Sequence, residues 1–293
     1  MLTHRLGSLI HVCLALGLLV TSSPILSAAP DDPRPENGAA SAASASSARD
    51  DDDAVLDPAE PDFRLVNLPT TMRLPRLKGD FALTHRFAGN LRRGSFSDNA
   101  GHLFGIDDGA TVGFEYRFGI ARHLQAVAYR VSFQQTLQLY AKYDAAHQTR
   151  TMPVSLSALI SDEAVNNFQD DHAPALGLSV SRTLAQAIAV YVVPTWVHNS
   201  AAATGIDRNT LFVGVGGRVR IRPTVYVAAD VSPRVSGYAP GTSQFGVALE
   251  KRAGGHLFQL NLTNSPGTTF AQVARGGVPQ SLSLGFNLSR KFF

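Results

Sequence analysis

Thr111-Val112-Gly113-Phe114-Glu115-Tyr116-Arg117-Phe118 puts Val112, Phe114, Tyr116 and Phe118 on one side and Gly113, Glu115 and Arg117 on the other. Successive side chains of an extended chain point to opposite faces, so this is a strand with one apolar, aromatic face and one charged face. The same alternation returns in eleven further segments: 81–87, 127–131, 137–143, 154–160, 176–180, 188–196, 211–220, 225–231, 245–252, 258–263 and 282–289. Helices cannot sustain a period of two over so many segments. Segment 188–196 is apolar on both faces, which leaves its phase open.

The connections alternate as well. Those at 119–122, 184–187, 222–223 and 253–255 are tight and built from turn-forming residues, whereas 89–110, 161–173, 199–208 and 265–280 are long. Two connections blur the rule, 132–135 being short on the long side and 145–151 longish on the short side. Twelve strands whose connections otherwise alternate describe an all-β, closed antiparallel transmembrane barrel of the kind found in bacterial outer membranes. An even strand count puts both ends on the side of the short turns, which is periplasmic in such barrels. A soluble periplasmic β-sandwich would have to bury the outward aromatics between two sheets, and one register over twelve segments argues against it. Trp196, Tyr116, Tyr129 and Tyr143 suit aromatic girdles.

The chain opens with His4 and Arg5, an apolar run from Leu9 to Val20 and small residues at 27–29, the layout of a secretory signal peptide over 1–29. The run is too short to span a bilayer as a helix. The single cysteine, Cys13, lies inside it, so disulfides and cysteine-ligated metals are excluded from the remainder. Residues 30–62 are rich in Ala, Ser, Pro and Asp, include Asp50-Asp51-Asp52-Asp53, and carry ten acids against two arginines. Such a composition cannot support a packed core, so it predicts a solvated, disordered acidic tail. With the whole chain at +3 and only Arg5 ahead of the tail, residues 63–293, the barrel domain, are left at +10.

Strand parity points most of that charge inward. Arg86, Arg117, Arg130, Lys142, Arg218, Arg220, Arg234 and Arg252 are expected to line the lumen, against Glu115, Asp230 and Glu250. Rings of Arg or Lys are used by anion and phosphate pores, so the first expectation is a porin-like barrel passing small anionic solutes. The second is a non-conducting scaffold or docking barrel whose lumen is plugged by its own charges. A lipid-modifying enzyme stands third. His85 faces outward without an assignable serine partner, so no catalytic residue is expected. The loop cluster Asp170, Asp171 and His172 matches no calcium or zinc spacing. Gly214, Gly216 and Gly217 lie mid-strand with no helix following, and read as room for bulky lumenal neighbours. No cofactor, metal or nucleic acid is expected. The expected partners are outer-membrane lipid and, through the terminal Phe292 and Phe293, the barrel-assembly machinery. Arg290 and Lys291 beside them read as interfacial cations that snorkel.

Asn67-Leu68-Pro69-Thr70-Thr71, Leu83-Thr84-His85-Arg86-Phe87 and Gly217-Arg218-Val219-Arg220-Ile221-Arg222-Pro223 resemble an uncharacterised bacterial family of predicted outer-membrane β-barrel proteins. The resemblance spans 63–293. It implies a barrel in a Gram-negative bacterium and carries no activity.

Overall fold

A computed structural model describes residues 58–200, 209–238 and 240–293. The expected signal peptide, and the acidic tail up to residue 57, lie outside them. Twelve strands pair antiparallel into one closed sheet. They are β1 (Gly79–Phe87), β2 (Ala110–Ala121), β3 (Leu124–Val131), β4 (Thr136–Ala146), β5 (Ser155–Ala164) and β6 (Ala175–Leu184) in the first half. The second half holds β7 (Ile188–Val197), β8 (Thr210–Arg222), β9 (Val225–Ser232), β10 (Gln244–Ala253), β11 (His256–Thr263) and β12 (Ser283–Phe292). Pro233 interrupts β9, which resumes as Arg234–Gly237 against β8. A proline has no N–H to give to a ladder, which accounts for the break and the shifted register there. Each strand neighbours its predecessor in the chain. β1 closes the ring on β12, with Leu83 opposite Leu288 and Gly79 opposite Phe292.

Every segment expected to be a strand is one. β5 runs further than its alternation indicated, so residues 161–164 belong to the wall rather than to a loop. No helix among the described residues is long and apolar enough to cross a membrane. The outward face is apolar: Phe114, Tyr116, Tyr143, Ile160, Leu249, Phe258 and Leu260 are about half exposed. A strand barrel satisfies all its backbone polar groups internally, the condition for spanning hydrocarbon.

The lumen is not empty. Residues 58–78 enter at the short-turn mouth, reverse in the middle of the barrel and return to β1. The reversal is a tight hairpin, with Leu65 N–H donating to Leu68 O at 2.8 Å and Thr70 N–H to Phe63 O at 2.9 Å. Ala59, Phe63, Leu65, Val66, Leu68, Met72 and Leu74 are all buried. Residues 58–62 are thus inside the barrel, a correction to the expected tail boundary. The opposite mouth is entered by the β11–β12 connection, whose helix α1 (Phe270–Arg275) is buried almost throughout. Hairpin, wall and helix form one apolar cluster in which Leu65 and Leu68 join Tyr191, Val193, Phe212, Phe270 and Val273.

This cluster explains why β7 is apolar on both sides. Ala189, Tyr191, Val193 and Val197 face inward onto the plug, while Val190 and Trp196 face out. It also gives the mid-strand glycines their neighbours. A Cβ on Gly214 would stand 2.6 Å from Leu68, and one on Gly216 2.7 Å from Leu65. Gly246 on β10 makes the same allowance for Val66, at 2.6 Å.

Candidate functional site: a lumen occupied by its own chain

The inward charges hold the hairpin. Asp230 sits beneath the hairpin tip and accepts from the backbone N–H groups of Val66, Asn67 and Leu68 at 3.0, 2.6 and 3.1 Å. Its other oxygen accepts from the Asn67 side chain at 3.0 Å. Three converging amides make an anion nest, and the carboxylate fills it. Glu115 lies between two guanidinium groups, Arg64 of the hairpin at 2.5 Å and Arg117 of its own strand at 2.6 Å. Arg117 also donates to the Tyr140 hydroxyl at 2.6 Å and stacks over the Phe63 ring at 4.7 Å.

Three further buried cations, Lys142, Arg86 and Arg218, reach hairpin carbonyls. Lys142 Nζ donates to Met72 O at 2.6 Å and Thr70 O at 3.1 Å, with Asp144 at 3.2 Å. Arg86 Nη1 donates to Asn287 Oδ1 at 2.8 Å, while its Nη2 reaches Val66 O at 3.3 Å. Arg218 forms a two-point pair with Glu250, at 2.7 and 3.0 Å, and adds a bond to Arg64 O at 2.7 Å. Gln259 ties Glu250, at 2.7 Å, to Leu65 O, at 2.9 Å. Buried charges are tolerated when paired and hydrogen-bonded, and here acids of the wall supply most of the pairing while the plug adds Arg64 and backbone groups.

Two groups of the hairpin itself titrate away from their ordinary ranges. Burial raises the Glu60 carboxyl, against opposing help from Lys142 and from hydrogen bonds. Burial also acts to raise Asp62, but the Lys291 ammonium at 2.8 Å more than offsets it and holds that carboxyl below its usual value.

Of the expected lumen residues, Arg86, Glu115, Arg117, Lys142, Arg218, Asp230 and Glu250 are buried inward-facing groups. Arg234 is half-buried and donates to Arg275 O at 2.7 Å, at the end of α1, and to Thr242 O at 3.0 Å. Arg220 and Arg252 face inward, half-exposed, at the short-turn rim. Arg130 does not face the lumen. It shares the outward face of β3 with Ala126 and Ala128, and donates to Asn167 Oδ1 at 2.8 Å in the β5–β6 connection. The inward face of β3 is instead Gln125, Val127, Tyr129 and Val131. An apolar residue marks the outside only where the lumen is wet, and here it is packed. Tyr129 for the same reason leaves the expected girdle: it is fully buried and donates to Thr268 at 2.7 Å. Tyr116, Tyr143 and Trp196 do face outward. Lys291 is the third correction. It is buried and paired with Asp62, while Arg290 beside it remains exposed and lies over the Phe292 ring at 5.5 Å.

The outer plug has its own anchor, Glu163 on β5, which the sequence reading passed over. It accepts from Thr269 Oγ1 at 2.6 Å and Ala271 N–H at 2.9 Å, at the start of α1. The two plugs meet where Arg64 Nη1 donates to Thr268 O at 3.0 Å. His85 stacks outward on Phe286 with centroids 4.8 Å apart. His172 pairs with Asp162 at 2.8 Å, and among the described residues no three His, Cys, Asp or Glu are placed to hold a metal ion.

The family model described as a membrane bound beta barrel domain, DUF5777, matches residues 61–292. The chain belongs to that family. The match begins within the hairpin, so the family's barrel domain takes in most of the plug as well as the wall. No curated protein matches the chain in sequence. Among solved structures, engineered variants of Rhodopseudomonas blastica porin share 13% identity, cover 62% of this chain and 55% of theirs, and give a TM-score of 0.34. A structure titled for the asymmetric conductivity of engineered proteins gives the same values. The chain thus spans a little over half the length of those porins.

Proposed function

We propose that this membrane barrel is closed to solutes in the state described and serves as a scaffold or docking barrel of the outer membrane, with both chain ends periplasmic. One observation carries the reading. The fully buried inward cations, Arg86, Arg117, Lys142 and Arg218, all touch the hairpin. A guanidinium group already bound to a carbonyl or carboxylate of its own chain is not available to a passing anion. No catalytic role is assigned to any residue.

The test is planar-bilayer recording of the purified full chain. The expected result is insertion without steady current. A steady current with anion preference in wild-type protein would overturn this reading and favour passage of small anionic solutes, which requires the hairpin to leave the lumen.

A further inference from the structure

The two mouths differ in charge. At the short-turn mouth the exposed ionised side chains among the described residues are basic, among them Arg76, Lys78, Arg150, Arg222, Lys251 and Arg290. The carboxylates on that side, Glu60, Asp62, Asp80 and Asp144, are all buried within the barrel. At the long-loop mouth the exposed charges are mixed, with Asp98, Asp108, Asp170 and Asp171 facing solvent beside Arg92 and Arg93.

The basic mouth is also interleaved with outward aromatics. Lys251 is opposite Phe258 in the β10–β11 register, and Phe258 is half exposed. Arg290 follows Leu288 on the outward face of β12 and packs on the exposed Phe292. Aromatic rings at the edge of an apolar band mark headgroup level, and cations there lie beside lipid phosphates. Among the described residues no exposed side-chain carboxylate stands at the same mouth to neutralise the charge.

From this juxtaposition we infer that the short-turn rim is a binding face for anionic phospholipid headgroups, one that selects lipid in a single leaflet. Long basic side chains lay their stems along the apolar band and present the charge at the phosphate plane. Headgroups bound there would hold the barrel at a fixed depth and orientation. The inference rests on the barrel and its charge, and stands whether or not the lumen conducts.

The test uses the full chain in vesicles of equal parts phosphatidylcholine and phosphatidylglycerol, followed by native mass spectrometry of the retained lipid. Wild type should retain phosphatidylglycerol several-fold over phosphatidylcholine, and molar salt should remove most of that preference. The combined variant Arg150→Gln, Arg222→Gln, Lys251→Gln, whose residues are exposed at the rim and form no hydrogen bond or ion pair with the plug among the described residues, should keep heat-modifiable mobility while retaining the two lipids nearly equally. Equal retention by wild type, or preference undiminished in the variant, would overturn the inference. So would carbodiimide cross-links from Asp50–Asp53 to Lys78 or Lys251 that persist undiminished in anionic vesicles, because the chain's own acids would then hold the face.

Discussion

Arg218 and Arg220 are two residues apart on one strand and share one face, yet they differ in what depends on them. Arg218 is fully buried, paired at two points with Glu250, and bonded to the hairpin backbone. Arg220 is half-exposed at the rim. Arg218→Gln strands a buried carboxylate and should cost about 3–5 kcal/mol. Arg220→Gln should stay within about 0.5 kcal/mol. The midpoint of the heat-induced gel shift measures both, and equal midpoints would refute the pairing. Asp230→Ala leaves three amides and one side-chain amide without their acceptor. At about 1–3 kcal/mol for each unsatisfied buried group, that loss should exceed that of any rim substitution. Two hairpin carboxylates respond to pH in opposite senses. Asp62 is held low by Lys291, so its contribution is present above the ordinary Asp range near about 3.9 and fades as pH falls through its folded value. Glu60 is raised by burial, so it weakens docking as pH climbs from the ordinary Glu range near about 4.3 through its folded value. Asp62→Asn should therefore flatten the acid side of a stability-against-pH curve. Glu60→Gln should remove the decline that follows it. Unchanged profiles in both variants would mean that neither group titrates on unplugging.

The hairpin of residues 58–78 is the element that decides what the barrel contains. Its side chains are seated by complementary absences in the wall, at Gly214, Gly216 and Gly246. Gly214→Val would drive a side chain into Leu68, and the hairpin should then become cleavable by protease while the wall stays intact. Resistance equal to wild type would mean that the tip does not depend on that gap. A second check exploits the contact between Thr71 and Ser181, whose hydroxyls lie 2.5 Å apart. Thr71→Cys with Ser181→Cys should oxidise to a disulfide in the folded barrel without loss of gel-shift behaviour, and free thiols under oxidant would count against a docked hairpin. The wall was legible in the sequence because lipid outside and polar groups inside impose a strict period of two. The plug was not legible as such, because its residues have no period to report. Its traces were indirect: β7 apolar on both faces, three glycines in mid-strand, and basic residues with too few acids beside them. Arg130 and Tyr129 were misplaced for the same reason, since the inside of β3 faces protein rather than water. Lys291 was read as interfacial because its partner, Asp62, lay in a stretch that composition alone assigned to the tail.

At the scale of the whole molecule, two plugs meet inside one barrel, and each has its own anchoring residues on the wall. The hairpin is held by β8 to β12, by β1 to β4 and by Ser179 and Ser181 on β6, while α1 is held by Glu163 on β5 and by Tyr140 on β4. The folded protein should migrate as a compact species that converts to a slower one on heating. Removal of Phe292 and Phe293, which lie at the seam where β12 meets β1, should lower the yield of that species. Full recovery in a soluble fraction would contradict the membrane placement. Epitopes in the 165–174 or 264–282 connections should be reached from outside intact cells, and those at 223–224 should not. The reverse pattern would invert the barrel. One feature of the hairpin sets how it would respond to force. Both of its arms leave by the same mouth: Glu60 contacts Thr71, Asp62 contacts Lys291, and Leu77 N–H donates to Gly119 O on β2 at 2.8 Å. Traction on the chain ahead of Pro58 therefore loads these attachments one after another, as a zip is opened, instead of straining them together. No wall strand has to part and no chain has to thread through a ring. The hairpin is therefore expected to yield to a pull along the barrel axis more readily than to a load across it.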